Sequence, residues 1–256
     1  KSINTGTSPY FAPDLTWIKA RNFGYQNNLY DSIRGATNAI ESNSDSATYQ
    51  ISGLTSFDTD GFTLGSNAGN NGGYNFVSWN WKAGGTASIN TDGAITSVVS
   101  ANQAAGFSVV KWAATNAINT IGHGLNAAPE LMLIKPTDVT SNWQVYTEPG
   151  GSGNKLSLDT NAQQSSTSRF DSTNPTNSVF TFRDVGITGN LIAYCFTPIA
   201  GYVDIGFYNG TGSIGITVPT GFEPTWLMVK SLEVTGGWFI FDNKRNTSNP
   251  RNTFIE

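Results

Sequence analysis

The sequence predicts an all-β protein of tandem antiparallel β-sandwich modules, and three observations predict it. The first is a repeat. Ala128-Pro129-Glu130-Leu131-Met132-Leu133-Ile134-Lys135 returns as Glu223-Pro224-Thr225-Trp226-Leu227-Met228-Val229-Lys230, and is preceded by Ala12-Pro13-Asp14-Leu15-Thr16-Trp17-Ile18-Lys19. Proline to lysine is 6 positions in all three copies, and lysine to the closing aromatic (Tyr30, Tyr146, Phe241) is 11. Gly106 to Pro129 and Gly201 to Pro224 are both 23 positions. Spacings held this closely mark a repeated supersecondary unit. The second observation is composition: Gly-, Asn-, Ser- and Thr-rich connections separate short aromatic and β-branched runs, as strands and turns require. The third is that no stretch has a convincing 3.6-residue apolar period. Short strands that each bury one face pair into two sheets.

In chain order, Phe11 to Lys19 reads as a strand. Leu15, Trp17 and Lys19 alternate with Asp14, Thr16 and Ile18, an imperfect period of two. Pro13 sits at its beginning, where a missing N–H does no harm. Asn22 to Asn28 is a loop, and Leu29 to Ile33 the next strand. One or two helical turns are expected near Ala36 to Ser42. Thr48 to Ile51, Leu54 to Phe57 and Phe62 to Leu64 are short strands, the last two joined by an Asp58-Thr59-Asp60-Gly61 turn. Asn67 to Gly73 is too rich in Gly and Asn for regular structure. Tyr74 to Trp81 is a strong strand. Ser178 to Phe182 and Leu191 to Phe196 match Gly61 to Leu64 and Phe76 to Trp81.

These matches divide the chain. Residues 1–84 form a first sandwich unit lacking its opening strands, and 85–105 a linker or hairpin with an Asp92-Gly93 turn. Residues 106–200 form a complete second unit, and 201–256 part of a third. Lys1-Ser2 at one end and Thr253-Phe254-Ile255-Glu256 inside the third copy suggest a piece of a longer protein.

Composition sets bounds on function. A net charge of −4 argues against a nucleic-acid partner, which needs a basic face. Only 12% of residues are charged, but 12% are aromatic, so disorder is not expected. No apolar run reaches the ~18 residues of a spanning helix, so membrane insertion is not expected. The single cysteine, Cys195, excludes an internal disulfide and reads as a buried small hydrophobe.

Catalytic signals are weak. His123 is the sole histidine. No nucleophile elbow accompanies it, and its place in the third copy falls at Val218-Pro219-Thr220. Asp58 and Asp60 lack the further oxygen ligands of a calcium loop and are poorly set for paired-carboxylate hydrolysis. There is no GxGxxG, GxxxxGK, HExxH or CxxC. No catalytic residue, metal site or cofactor is therefore assigned. Aromatic faces stack on sugar rings, and the repeat sorts the candidates. Trp79/Tyr194, Trp81/Phe196, Trp112/Phe207 and Trp143/Trp238 align and read as core. Tyr25 and Tyr74 are unmatched, lie in Gly- and Asn-rich loops, and are the ligand candidates. Lys19, Lys135 and Lys230 are expected to snorkel at strand ends.

Several phrases resemble a known family. They are Phe11 to Lys19 with Tyr30-Asp31-Ser32-Ile33-Arg34-Gly35, Leu54 to Gly65, Val77-Ser78-Trp79-Asn80-Trp81-Lys82-Ala83-Gly84-Gly85, and Gly122-His123-Gly124-Leu125 with Ala128-Pro129. Together they are similar to repeat-bearing virion proteins of tailed bacteriophages, frequent in marine phages and labelled structural or tail-fibre proteins. The resemblance implies a virion location and a lectin-like or jelly-roll-like β-sandwich, and carries over no catalytic residues. The function it implies is a non-enzymatic part of a tail fibre, spike or surface appendage that contributes to host attachment. Its partners would be other virion proteins and a bacterial surface glycan, with homo-oligomerisation such as a trimer. The alternatives are a capsid decoration protein without ligand, or a polysaccharide-degrading or carbohydrate-binding module.

Overall fold

The computed structural model describes residues 2–4, 10–67, 69–70, 72–248 and 253–255. Lys1, Ala68, Asn71, Glu256 and residues 5–9 and 249–252, all within segments read above, lie outside them. The first copy holds β1 (Ser2–Asn4), β2 (Leu15–Ala20), β3 (Asn28–Asp31), β4 (Asn38–Glu41), β5 (Tyr49–Gln50), β6 (Leu54–Asp58), β7 (Gly61–Leu64) and β8 (Phe76–Trp81). There follow β9 (Ser88–Asn90), β10 (Ser97–Asn102), β11 (Phe107–Ala113), β12 (Ile118–Gly122), β13 (Leu131–Pro136), β14 (Gln144–Thr147), β15 (Asn154–Lys155), β16 (Ser165–Ser166), β17 (Val179–Arg183) and β18 (Asn190–Phe196). The third copy holds β19 (Trp226–Val229) and β20 (Phe239–Asp242). The fold is all-β, and its named strand pairs are antiparallel.

Each of the first two copies is a sheet covered by an antiparallel strand pair. Sheet one runs β5-β4-β3-β2-β8, and β6–β7, extended by β1, lies over it. Sheet two runs β14-β13-β18-β11-β10-β9, and β12–β17 lies over it. Residues 85–105 thus contain a hairpin that enters sheet two through β10 and β11. The other face of each sheet meets a shared apolar cluster. Leu15, Trp17 and Trp79 enter it from the first copy, Val109, Leu133 and Tyr194 from the second, and Trp238 and Ile240 from the third. Opposite faces of the same strands pack beneath these strand pairs: Ile18 with Leu54 and Phe62, and Trp112, Met132 and Cys195 with Phe180 and Phe182. Both faces of β2 are therefore buried, which is why its alternation is imperfect in the sequence.

Three expectations are corrected. Asn38 to Glu41 is strand rather than helix: Leu29 pairs with Ile40, and Ala39 and Ile40 are both fully buried, so pairing and packing override local preference. Phe207 is 71% exposed although its counterpart Trp112 is buried. Trp112 lies in β11 between β10 and β18, whereas residues 204–208 form no strand. Lys135 does not snorkel. Lys135 is fully buried, and its Nζ donates to the Asp45 carbonyl at 2.9 Å.

That bond belongs to a joint made twice. Between the first and second copies, Lys135 Nζ and the Ser141 amide donate to the Asp45 carbonyl, Trp143 Nε1 donates to the Glu41 carbonyl, and the Thr48 amide donates to Thr137. Between the second and third, Lys230 Nζ and the Gly236 amide donate to Asn161, Trp238 Nε1 donates to Ser157, and the Gln164 amide donates to Leu232. Each contact maps onto its twin by the shift that carries Lys19 to Lys135 and Lys135 to Lys230. The conserved spacings thus encode a head-to-tail joint as well as strands. Gly106 and Gly201, which open two of the copies, both adopt left-handed backbone (φ 63° and 76°), where a side chain would be strained.

Candidate aromatic binding site

Tyr25 and Tyr74 come from loops separated by sheet one, and the sheet brings them together. β2 and β8 pair through Ala20 and Phe76, so the segments that continue from them leave side by side. The Arg21 amide donates to the Asn75 carbonyl, and the Asn75 amide donates to Asn22 Oδ1. Lys19 Nζ folds back onto the Tyr25 carbonyl at 2.9 Å and fixes the β2–β3 loop. The rings of Tyr25 and Tyr74 stand edge to face, 5.3 Å between centroids. Phe23 completes the group, 4.6 Å from Tyr25 and 4.8 Å from Tyr74, and is half exposed. Its hydrogen bond to Tyr25 raises the Tyr74 phenol above its usual value.

Two cavities flank the rings and share Ile18, Gly69 and Phe76. One of about 240 Å³ is lined by Tyr25 and offers Gln26, Asn28, Tyr49 and Asn67 as polar groups. The other, about 340 Å³, is lined by Tyr74 and offers Arg21, Asn70, Asn75 and Ser78. These volumes lie near the ~300 Å³ lower end of small-molecule sites, and amides and hydroxyls dominate their polar lining. Beneath the first cavity, the Tyr49 hydroxyl donates to Glu41 Oε1 at 2.8 Å, and Gln26 Nε2 donates to Glu41 Oε2 at 3.0 Å. Burial and Glu41 push the Tyr49 phenol up. Glu41 is thus satisfied by its neighbours, and its role is to orient Tyr49 and Gln26. Partly exposed rings beside polar donors and acceptors suit the apolar face and hydroxyl rim of a sugar. Phe23 and the amides were missed in the sequence. Phe23-Gly24-Tyr25, two aromatics spaced by glycine in one loop, was the available signal for the first of them.

The other candidates sit in structural roles. His123 is fully buried, its Nε2 donates to the Thr176 carbonyl, and its Nδ1 accepts the Leu125 amide. Asp58 accepts the hydroxyls of Ser56 and Thr63 within its own hairpin. Cys195 is buried, and burial lifts its thiol to about 12. Among the described residues no three His, Cys, Asp or Glu side chains group as metal ligands, and no helix is long and apolar enough to cross a membrane.

Two buried ion pairs also recur. Asp31 binds Arg34, and Asp242 binds Arg245, each with both side chains almost wholly enclosed. Each arginine also holds a carbonyl of its own strand, Leu29 or Ile240. The second copy has Thr147 and Gly150 at these positions.

No curated protein and no solved structure matches the chain. A family model matches residues 1–256, and the chain belongs to that family, described as a domain of unknown function (DUF7483).

Proposed function

We propose that this chain is a non-catalytic binding module of a phage tail fibre, spike or other virion appendage, and that Phe23, Tyr25 and Tyr74 hold a bacterial surface glycan. The observation that carries the reading is the aromatic group itself: three rings in mutual contact, partly open to solvent, between two cavities edged with amides. The virion setting rests on the family phrases in the sequence. Stacking on a few rings gives weak single-site affinity, and display in many copies, for example in a trimeric appendage, would supply the avidity.

The test is binding of fluorescently labelled protein to a panel of bacterial strains, with and without competing surface polysaccharide. Strain-selective, saturable binding that the polysaccharide abolishes, and that Tyr25→Ala and Tyr74→Ala each weaken about tenfold or more, is the expected result. Folded protein that binds no strain, or variants that bind as well as the parent, would sink it.

A second reading has one observation in its favour. Ser141 and Gly236, the counterparts of Tyr25, both donate to a carbonyl of the preceding copy. On that reading the Tyr25 loop docks another β module, as in a scaffold or capsid decoration protein. Tyr25→Ala would then reduce self-association or assembly into particles and leave glycan and cell binding at background.

A further inference from the structure

The two cavities beside the rings differ in charge. Among the described residues no charged side chain lines the first, and the Glu41 carboxylate lies beneath it, held by Tyr49 and Gln26. Arg21 is the single charged residue lining the second, the cavity of about 340 Å³ that Tyr74 also lines. Arg21 is exposed, and among the described residues no carboxylate pairs with it. Its backbone is fixed all the same. The Arg21 amide donates to the Asn75 carbonyl at 2.7 Å, and the Asn75 amide donates to Asn22 Oδ1 at 2.9 Å. An uncompensated guanidinium thus belongs to the polar cavity of a chain whose net charge is −4.

The repeat does not account for Arg21. Its counterparts in the other copies are Thr137 and Leu232, whose carbonyls accept the Thr48 and Gln164 amides of the preceding copy. Asn27 likewise stands where Trp143 and Trp238 donate to carbonyls of a preceding copy, and its side chain is too short to repeat that bond. The face that forms a joint in the second and third copies therefore carries, in the first, an amide in place of the tryptophan and a cation in place of a neutral residue. Both differences suit a polar, charged ligand better than another β module.

We infer that the glycan bound here is acidic, with a carboxylate or phosphate group on one sugar held by Arg21 in the second cavity and a neutral sugar in the first. The inference rests on the glycan reading above and names the class of glycan. A guanidinium presents a planar fork of N–H donors that matches two oxygens of either anion. Asn70, Asn75 and Ser78 line the same cavity and supply neutral groups for the adjoining hydroxyls. The Glu41 carboxylate beneath the first cavity disfavours an anion there. The rings of Tyr25 and Tyr74 lie between the two cavities, so a ligand that reaches both spans two adjoining sugars.

The test uses the whole chain and surface polysaccharide purified from a strain that it binds. The polysaccharide is used native, carboxyl-reduced so that uronates become neutral sugars, and dephosphorylated with hydrofluoric acid. The expected result is that one of the two treatments weakens binding about fivefold or more, and that Arg21→Gln weakens binding of the native form to the same level with no further loss on the treated form. The treatment that acts identifies the anion. Equal binding of all forms by the parent chain, or Arg21→Gln that binds the native form as tightly as the parent, overturns the inference. The glycan reading survives that outcome where Tyr25→Ala and Tyr74→Ala still weaken binding. Polysaccharide from no strain binding the folded chain would sink the glycan reading, and this inference with it.

Discussion

The Tyr194 hydroxyl donates to Asp31 Oδ2 at 2.8 Å, joining the last strand of the second copy to the turn that closes β3 in the first. Trp79 makes the equivalent contact to Asp242 in the third copy at 3.2 Å, beneath the Arg245 guanidinium, which lies 5.8 Å from the Trp79 ring centroid. The first copy thus accepts from the second and donates to the third. With the two matching joints, all three pairings of the copies are bonded, and the arrangement closes on itself around the shared cluster.

Removing one side of such a bond should cost far less than removing the charge that anchors it. Tyr194→Phe leaves Asp31 bound to Arg34 and to the amides of Ile33 and Arg34, and is expected to cost about 1–2 kcal/mol. Asp31→Asn leaves the Arg34 guanidinium enclosed without its counter-charge, and is expected to cost about 3–5 kcal/mol. Urea unfolding monitored by tryptophan fluorescence measures both. Equal costs for the two variants would mean that the ion pair contributes nothing beyond its hydrogen bonds.

Aligned aromatics should not behave alike. Trp112 is buried and packs edge to face on Phe180 and Phe182, so Trp112→Ala is expected to cost about 3–5 kcal/mol. Phe207 holds the same place in the third copy, but is 71% exposed, so Phe207→Ala should change stability by less than about 0.5 kcal/mol. A large loss from Phe207→Ala in unfolding experiments would show that residues 204–208 are packed in solution.

The Cys195 thiol should be inert in the folded chain. It is fully buried in β18, and its thiol stands at about 12, so almost no thiolate exists at pH 8. A disulfide exchange reagent should label it only on unfolding, giving a labelling rate that falls as stability rises. Stoichiometric labelling within seconds under native conditions would contradict this burial.

The all-β class and the strand order were legible because proline, lysine and the closing aromatic recur at fixed spacing. The reason for the spacing was not. Lys135 and Trp143 satisfy carbonyls of Asp45 and Glu41, which lie in a different copy and leave no periodic trace. Comparing copies identified Trp79 and Tyr194 as core, since an aromatic needed in every sheet is retained in every sheet. It failed for Phe207, because among the described residues no strand pairs with residues 204–208 as β10 and β18 pair with β11. Tyr25 and Tyr74 were legible singly as aromatics in polar loops. Their contact was not, because it depends on the β2–β8 pairing of segments some fifty residues apart.

His123 makes stability depend on pH in a stated direction. Burial lowers its pKa below the ordinary value of 6.5, the Thr176 carbonyl opposing the shift. The neutral ring is the one that fits: Nε2–H donates to Thr176, and a bare Nδ1 accepts the Leu125 amide. Protonating Nδ1 would set a donor against that amide. The unfolded chain therefore binds a proton near pH 6.5 that the folded chain refuses. The contribution to stability is complete above pH 6.5, and falls as pH drops from there toward the lower folded value. Unfolding midpoints in urea at pH 7.5 and 5.5 should differ in the parent chain. They should differ less in His123→Gln, which keeps a donor and an acceptor but cannot titrate. The depressed carboxylates Asp138 and Asp242 act in a separate window, below about 3.8, and do not blur the comparison. An equal pH dependence in the parent and in His123→Gln would assign the effect to other groups.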